Sequence, residues 1–285
     1  MNSLSDFLSS PRFIVIGGHK CGTSSLHTYF QQHPDILMPK IKGQDLLNKL
    51  NLDIVDYEKS YEPITTQRIF GEVSSNYFQS DKACSEIKKY FPHTKLLMIL
   101  RHPADRAFSH FNMMAAEQKF DFKFTEINQY PEKFGSIIQL GFYYDNLKQY
   151  IDTFGKHPLK VFLFDSLIKN KQQFFAEVFR FLEVDDQFLP NTSVIMRKGG
   201  KVKHQGIKEF ILSNSIFKKT ASIMIKPVTN SEERYNLYKK VDNLFIEKVS
   251  LDNNLRESLI NIYREDILKT QELLDINLSH WLKVS

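Results

Sequence analysis

Three short apolar runs each lead straight into a stretch with helical spacing, and this alternation constrains the fold more than any other feature of the chain. The first, Phe13-Ile14-Val15-Ile16, is ended by Gly17-Gly18, as a buried strand is ended by a tight turn. Beyond it Leu26, Tyr29 and Phe30 share a helical face, Ser and Thr stand where caps belong, and His33-Pro34 stops the pattern. The second run, "KLLMILR" (Lys95 to Arg101), precedes Pro103 and a helix, "ADRAFSHFNMM", with Ala107, Phe108 and Phe111 on one side. The third, "KVFLF" (Lys160 to Phe164), precedes a helix that turns Phe174, Phe175, Val178, Phe179 and Leu182 inward. Strands alternating with helices predict an α/β fold, a parallel β-sheet flanked by helices on both faces.

Composition sets the remaining bounds. No repeat or Pro/Gly/Ser linker divides the 285 residues, which read as a single domain, 1–285, with the polar, Ser-rich stretch 1–11 expected to be a flexible tail. Apolar residues make up 42% and charged residues 25%, enough for a packed core that the 24 Phe make bulky. The apolar runs are far too short to span a bilayer, so no membrane association is expected. Cys21 and Cys84 supply neither a disulfide framework nor metal-ligand spacing, which suits a reducing compartment and predicts a cytoplasmic protein. The net charge of +5 fits an anionic ligand and is too small to argue for nucleic acid.

The first strand-to-helix turn, "IVIGGHKCGTSS" (Ile14 to Ser25), carries the chemistry. A helix N-terminus after a Gly-rich turn offers free N–H groups and the positive end of the helix dipole, which together bind phosphate. An ordinary strand-to-helix turn is the alternative for a glycine pair alone. The turn is not a Walker A loop: Gly17 and Gly22 have that spacing, but Thr23 stands at the lysine position and the lysine lies inside, at Lys20. Nor does it contain the G-x-G-x-x-G dinucleotide fingerprint.

The stretch resembles the 5′-phosphosulfate loop of sulfotransferases that use 3′-phosphoadenosine 5′-phosphosulfate (PAPS), in which an apolar strand runs into Lys-x-Gly-Thr-[ST]. Lys20-Cys21-Gly22-Thr23-Ser24 fits that pattern. "LRHPADRAFSHF" resembles the same family's 3′-phosphate element, with Arg101, Pro103, Arg106 and Ser109 at its spacing. "QHPDI", "GEVSSNYF" (Gly71 to Phe78), "LGFYYDNL" (Leu140 to Leu147), "FDSL" and "REDILKTQELLDINLSHW" are fainter similarities, nearest to the carbohydrate (heparan-type) branch and its bacterial relatives.

The resemblance implies a P-loop-like fold and a set of donor contacts. Lys20 would meet the charge that grows on the bridging oxygen, while Cys21, Gly22, Thr23, Ser24 and Ser25 hold the 5′-phosphate. Arg101, whose planar fork suits phosphate, and Ser109 would take the 3′-phosphate. A basic loop in "MRKGGKVKHQG" would close over the donor through Arg197, Lys198 and Gly199, although Gly200 departs from the heparan-type Lys-Gly-Arg pattern. Tyr143 is a further donor contact, with a core aromatic as its alternative reading. No metal is called for, since the donor carries one phosphate at the reacting end instead of a triphosphate.

The acceptor side departs from the family. Where the heparan-type branch often reads Lys-Glu-x-His-Phe-Phe, with the Glu as general base, this chain has "KGQDLL" (Lys42 to Leu47), which puts Gly43 at the base position and Asp45 two places on. In "GEVSSNYF", Val73 stands where relatives often have lysine and Ser75 where they have proline. The replacement base or acceptor ligand is expected at Asp45, with Glu72 second; an N-cap or an ion-pair partner is the alternative role for each. A lysine lost and a carboxylate gained suit a neutral or cationic small-molecule acceptor, such as a guanidinium alkaloid of secondary metabolism, better than an anionic sugar polymer. A glycan O- or N-sulfotransferase, a P-loop nucleotide kinase and a non-catalytic donor-binding homologue are the other readings. The kinase is disfavoured by the missing Walker A Lys-[ST].

Overall fold

The structure, a computed structural model, describes residues 4–39, 42, 43, 45–49, 53–61, 68–116, 123–128, 134–192, 201, 202, 246, 247 and 251–284. In chain order the elements are α1 (Leu4–Ser9), β1 (Arg12–Gly17), α2 (Thr23–Phe30), β2 (Ile36–Leu37), α3 (Ile54–Lys59), β3 (Ile69–Val73), α4 (Asp81–Tyr90), β4 (Lys95–Leu100), α5 (Pro103–Ala116), α6 (Gly135–Gln139), α7 (Tyr144–Phe154), β5 (Leu159–Leu163), α8 (Phe164–Lys169), α9 (Lys171–Leu182), β6 (Lys201–Val202), β7 (Ile246–Glu247) and α10 (Asn253–Leu274). Short 3₁₀ turns lie at Leu46–Asn48, Phe124–Asn128 and Ser279–Leu282.

Five strands form a parallel sheet in the order β2-β3-β1-β4-β5. The expected architecture is therefore present. Of the strands, β1, β4 and β5 match the three apolar runs; the third run ends one residue early because Phe164 opens α8, which intervenes before the predicted Phe-rich helix, α9. Alternation along the strands divides the core between the two faces. Phe13, Val15, Leu97, Ile99 and Phe162 pack against α2 and α9, while Ile14, Ile16, Leu96, Met98 and Leu100 face α4, α5, α7 and α10. One expectation, that of a flexible tail, is corrected over the described part of the stretch before β1, residues 4–11. Residues 4–9 form a helix, and Phe7 is 0% exposed, packed edge-on against Phe70 with ring centres 5.2 Å apart.

This strand order decides where a site can form. From β1 the chain runs to the edge strand β2, returns to β3 beside β1, then crosses over β1 to β4 and β5 on the other side, so β1 is where the winding changes direction. In open α/β sheets such a switch point opens a crevice beyond the carboxyl ends of the strands. The turn after β1, the exit of β3 and the exit of β4 all converge there.

Close packing within the sheet is tested at Gly71 in β3, where a methyl group would lie 2.3 Å from Met38 Sδ and 2.4 Å from Phe13 Cζ. Gly71→Ala is expected to destabilise the protein by about 1–3 kcal/mol in urea denaturation, through overpacking. Gly135→Ala, at a position with nothing within 4 Å of the added carbon, is the control and is expected to be neutral or stabilising by up to about 1 kcal/mol.

Candidate functional site

The turn from β1 into α2 is shaped by two residues in left-handed backbone conformations. Lys20 has φ 65°, in a region that non-glycine residues seldom occupy. Gly22 has φ 88°, and a Cβ there would also lie 2.7 Å from the Phe164 ring, so the position excludes every other residue twice over. Gly22 is the N-cap of α2 and has no side chain to cap it. The first-turn N–H groups of Thr23 and Ser24 thus lack a side-chain cap at the positive end of the helix.

The structure brings together some of the expected donor residues and gives others different work. The Cys21 N–H donates to Gly18 O at 3.2 Å and the Ser25 N–H to Gly22 O at 3.0 Å, so both are spent inside the turn. Cys21 is fully buried, its thiol pushed up by burial and set beside the Tyr143 hydroxyl. The Ser25 hydroxyl pairs with the Tyr29 phenol. Lys20, Thr23 and Ser24, with Gly22 as their hinge, are therefore the residues of the turn left as candidates to meet a ligand.

Arg101, at the exit of β4, reaches back to this turn. Its Nη1 donates to Lys20 O at 3.3 Å, its guanidinium lies 5.1 Å from the centre of the Phe164 ring, and its own carbonyl accepts from the Tyr143 hydroxyl at 2.8 Å. Tyr143 is buried, and its hydroxyl holds the Arg101 carbonyl in place, in keeping with the core-aromatic reading. It is fixed in turn by Asp266 of α10, whose carboxylate accepts from the N–H groups of Tyr143 at 2.8 Å and Tyr144 at 3.0 Å. Ser109 lies on the second turn of α5, on the helix that follows Arg101. Arg106, from the same motif, is fully buried and donates to Ile137 O, a structural position. Arg197, Lys198 and Gly199 lie outside the described residues.

Both candidate carboxylates are at the exit of β3, in contrasting surroundings. Glu72 is 5% exposed, on the same face of the sheet as Phe70. It accepts from Tyr57 and Tyr77, each at 2.5 Å, and burial pushes its carboxyl up. Arg12, caged by Phe7, Tyr57, Phe70 and Phe91, donates to the Tyr57 hydroxyl at 3.5 Å and closes the network. Asp45 is half-buried, at φ 49°, and accepts from Ser74 Oγ at 2.5 Å and Asn76 Nδ2 at 2.6 Å. The two are linked, because the Tyr77 hydroxyl that bonds Glu72 also accepts from the N–H of Leu47, two residues beyond Asp45.

Two functional neighbours were not singled out from the sequence. The Lys42 ammonium donates to Thr23 Oγ1 at 3.0 Å and Ser24 Oγ at 3.2 Å, joining the Asp45 segment to the turn. His27 lies one helical turn beyond Thr23, 5% exposed, with neither ring nitrogen partnered among the described residues. Lys42 stands three residues before Asp45, a Lys-x-x-Asp spacing that marks it in retrospect.

A parallel sheet with a lysine inside the turn after its central strand, a helix N-terminus without a side-chain cap and an arginine from the neighbouring strand place the chain in the P-loop-like class of α/β proteins. The chain belongs to the sulfotransferase family, whose description, "Sulfotransferase domain", matches residues 10–250. It is similar to the human bifunctional heparan sulfate N-deacetylase/N-sulfotransferase 3, 35% identical over 109 residues that cover 35% of this chain and 12% of the relative. The membrane-associated sulfotransferase kil1 of Dictyostelium discoideum is 30% identical over 109 residues, covering 37% of this chain and 23% of kil1. The chain thus spans only a small part of the length of these relatives. Among solved structures, a sulfotransferase from Alicyclobacillus acidocaldarius shares the fold, with a TM-score of 0.71 and 22% identity over 96% of this chain and all of that one. The family resemblance carried by Lys20 to Ser24 and Arg101 to Ser109 is borne out.

His27 gives the site a pH signature. Burial first, then the charge of Lys42, lowers its pKa from 6.5 to about 4. Between those values the unfolded chain binds a proton that the folded protein does not, so stability is full above pH 6.5 and falls as pH drops toward 4. The loss integrates to about 3 kcal/mol. His27→Met is expected to remove that part of the acid slope in urea denaturation across this window. His102, also lowered to about 4, supplies a slope that remains.

Proposed function

We propose that the protein transfers the sulfuryl group of PAPS to a hydroxyl or nitrogen of a small-molecule acceptor. The observation that carries this reading is the position of Lys20, held in left-handed backbone with Arg101 bonded to its carbonyl, beside the uncapped N-terminus of α2. That arrangement suits a single phosphate at the helix N-terminus with a cation beside its bridging oxygen. The acceptor heteroatom bonds to sulfur as the S–O bond to the 5′-phosphate breaks, and the electron pair leaves on the phosphate. Lys20 and the Thr23 and Ser24 N–H groups meet that charge, and preorganised donors of this kind are worth about 10²–10³ each in rate. Arg101 and Ser109 take the 3′-phosphate.

Asp45 is the base in this reading and accepts the acceptor's proton. Ser74 and Asn76 orient its carboxylate, and one lone pair on each oxygen stays open to a substrate. Glu72, with both oxygens bonded to buried tyrosines, is a positioning residue that holds the Asp45 segment through Tyr77 and Leu47. With a carboxylate, Asp45, where a polyanion would need a cation, a neutral or cationic secondary metabolite is the acceptor class favoured. A glycan acceptor is the second reading, supported by the similarity to heparan sulfate N-sulfotransferases.

Three measurements test this. The product nucleotide, 3′-phosphoadenosine 5′-phosphate (PAP), is expected to raise the thermal midpoint, and ATP with magnesium to raise it much less; equal shifts would remove Arg101 and Ser109 from the 3′-phosphate. Labelled PAPS offered to neutral, cationic and glycan acceptors identifies the substrate class. On the best of these, Lys20→Ala and Asp45→Asn are each expected to lower the maximal rate about 10²-fold with PAP affinity retained. Glu72→Gln is expected to change stability more than rate; the reverse pattern moves the base to Glu72.

A further inference from the structure

The side chain that the proposed donor chemistry leaves unused is Lys42. Its ammonium donates to the hydroxyls of Thr23 and Ser24 at 3.0 and 3.2 Å, at the N-terminus of α2. A cation at that end of a helix is disfavoured by the dipole, and Lys20 adds a second positive charge on the same turn. Each hydroxyl that accepts from Lys42 has its own proton left to donate elsewhere. The ammonium, the two hydroxyls and the Thr23 and Ser24 N–H groups together make a surface of donors, which is what the oxygens of an anion require.

The direction of approach narrows which oxygens these are. Lys20 and the N–H groups come from the turn under the proposed 5′-phosphate. Lys42 comes from the segment that carries Asp45, on the acceptor side. The group that lies between phosphate and acceptor is the sulfuryl group.

We infer that Lys42 is a catalytic residue that binds the sulfuryl oxygens of the donor and orients the sulfur for in-line attack. This rests on the reading of the turn as a PAPS site and adds to it a residue that distinguishes the sulfated donor from the spent nucleotide. No bond to Lys42 forms or breaks; it holds the sulfuryl group while sulfur exchanges its phosphate oxygen for the acceptor atom. Because PAP lacks that group, the contact vanishes with transfer, and product release no longer has to break it.

The test is equilibrium binding of PAPS and of PAP, measured separately by calorimetry with no acceptor present, on wild type, Lys42→Met and Lys42→Arg. Charge-assisted hydrogen bonds of this kind correspond to roughly tenfold or more in affinity. Lys42→Met is expected to weaken PAPS by that factor and to leave PAP within about twofold, while Lys42→Arg, which keeps the charge, recovers most of the preference. An unchanged PAP affinity also reports that the variant is folded. If both nucleotides weaken together, Lys42 shapes the turn and reads no sulfuryl group, and the inference is overturned. It is equally overturned if neither affinity changes. Failure of the wild-type protein to bind PAP at all would sink the donor reading itself, an outcome distinct from the other two.

Discussion

The contact between Gly22 and the ring of Phe164 governs the site. It leaves no room for a side chain at the point where β1 gives way to α2, and the left-handed turn that results starts the helix with its first N–H groups unoccupied. Phe164 also lies under the guanidinium of Arg101, so one ring sets the bend of the turn and the height of the arginine that braces it. The ring belongs to the start of α8, directly after β5. The geometry of the turn thus depends on a strand two positions away from β1 in the sheet, and the order β1-β4-β5 is what brings the ring into reach.

A second constraint is the handling of buried charge on the other side of β1. Arg12 and Glu72 are both nearly inaccessible, and isolated ions in such surroundings would be expensive. Aromatic rings surround the cation, and tyrosine hydroxyls occupy both carboxylate oxygens. Removing either partner would leave the other uncompensated. The same tyrosines connect the interior to function, since Tyr77 also fixes the backbone of Leu47. Burial of Glu72 is therefore coupled to the placement of the exposed side of the Asp45 segment.

Much of this was legible from residue order. The parallel sheet with helices on both faces, three of its five strands and the core faces of α2 and α9 follow from hydrophobic spacing, because buried parallel strands read as continuous apolar runs. Strand β2 has two residues, and β3, "IFGEV", is interrupted by Gly71 and Glu72, so neither has a run to detect. Helix α1 escaped because Phe7, whose side chain is fully buried, sits among serines. In the candidate site, Lys20, Gly22, Thr23 and Ser24 were readable because the turn is local, and Arg101 because it ends an apolar run. The internal use of the Cys21 and Ser25 N–H groups depends on backbone angles that residue types do not specify. Lys42 and Tyr77 act across 19 and 30 residues, contacts that periodicity does not encode.

The cap that Asp266 places on the first N–H groups of α7 has a consequence for how the protein is made. Tyr143, the residue so capped, is what fixes the carbonyl of Arg101, yet Asp266 emerges 165 residues after Arg101 during synthesis. At about 5–20 residues per second that interval is on the order of ten to thirty seconds. The nascent chain can pair β1, β3 and β4 well before the brace behind Arg101 exists. The bracing of Arg101, on which the proposed nucleotide site relies, is thus a late acquisition of the growing polypeptide, completed only when α10 docks.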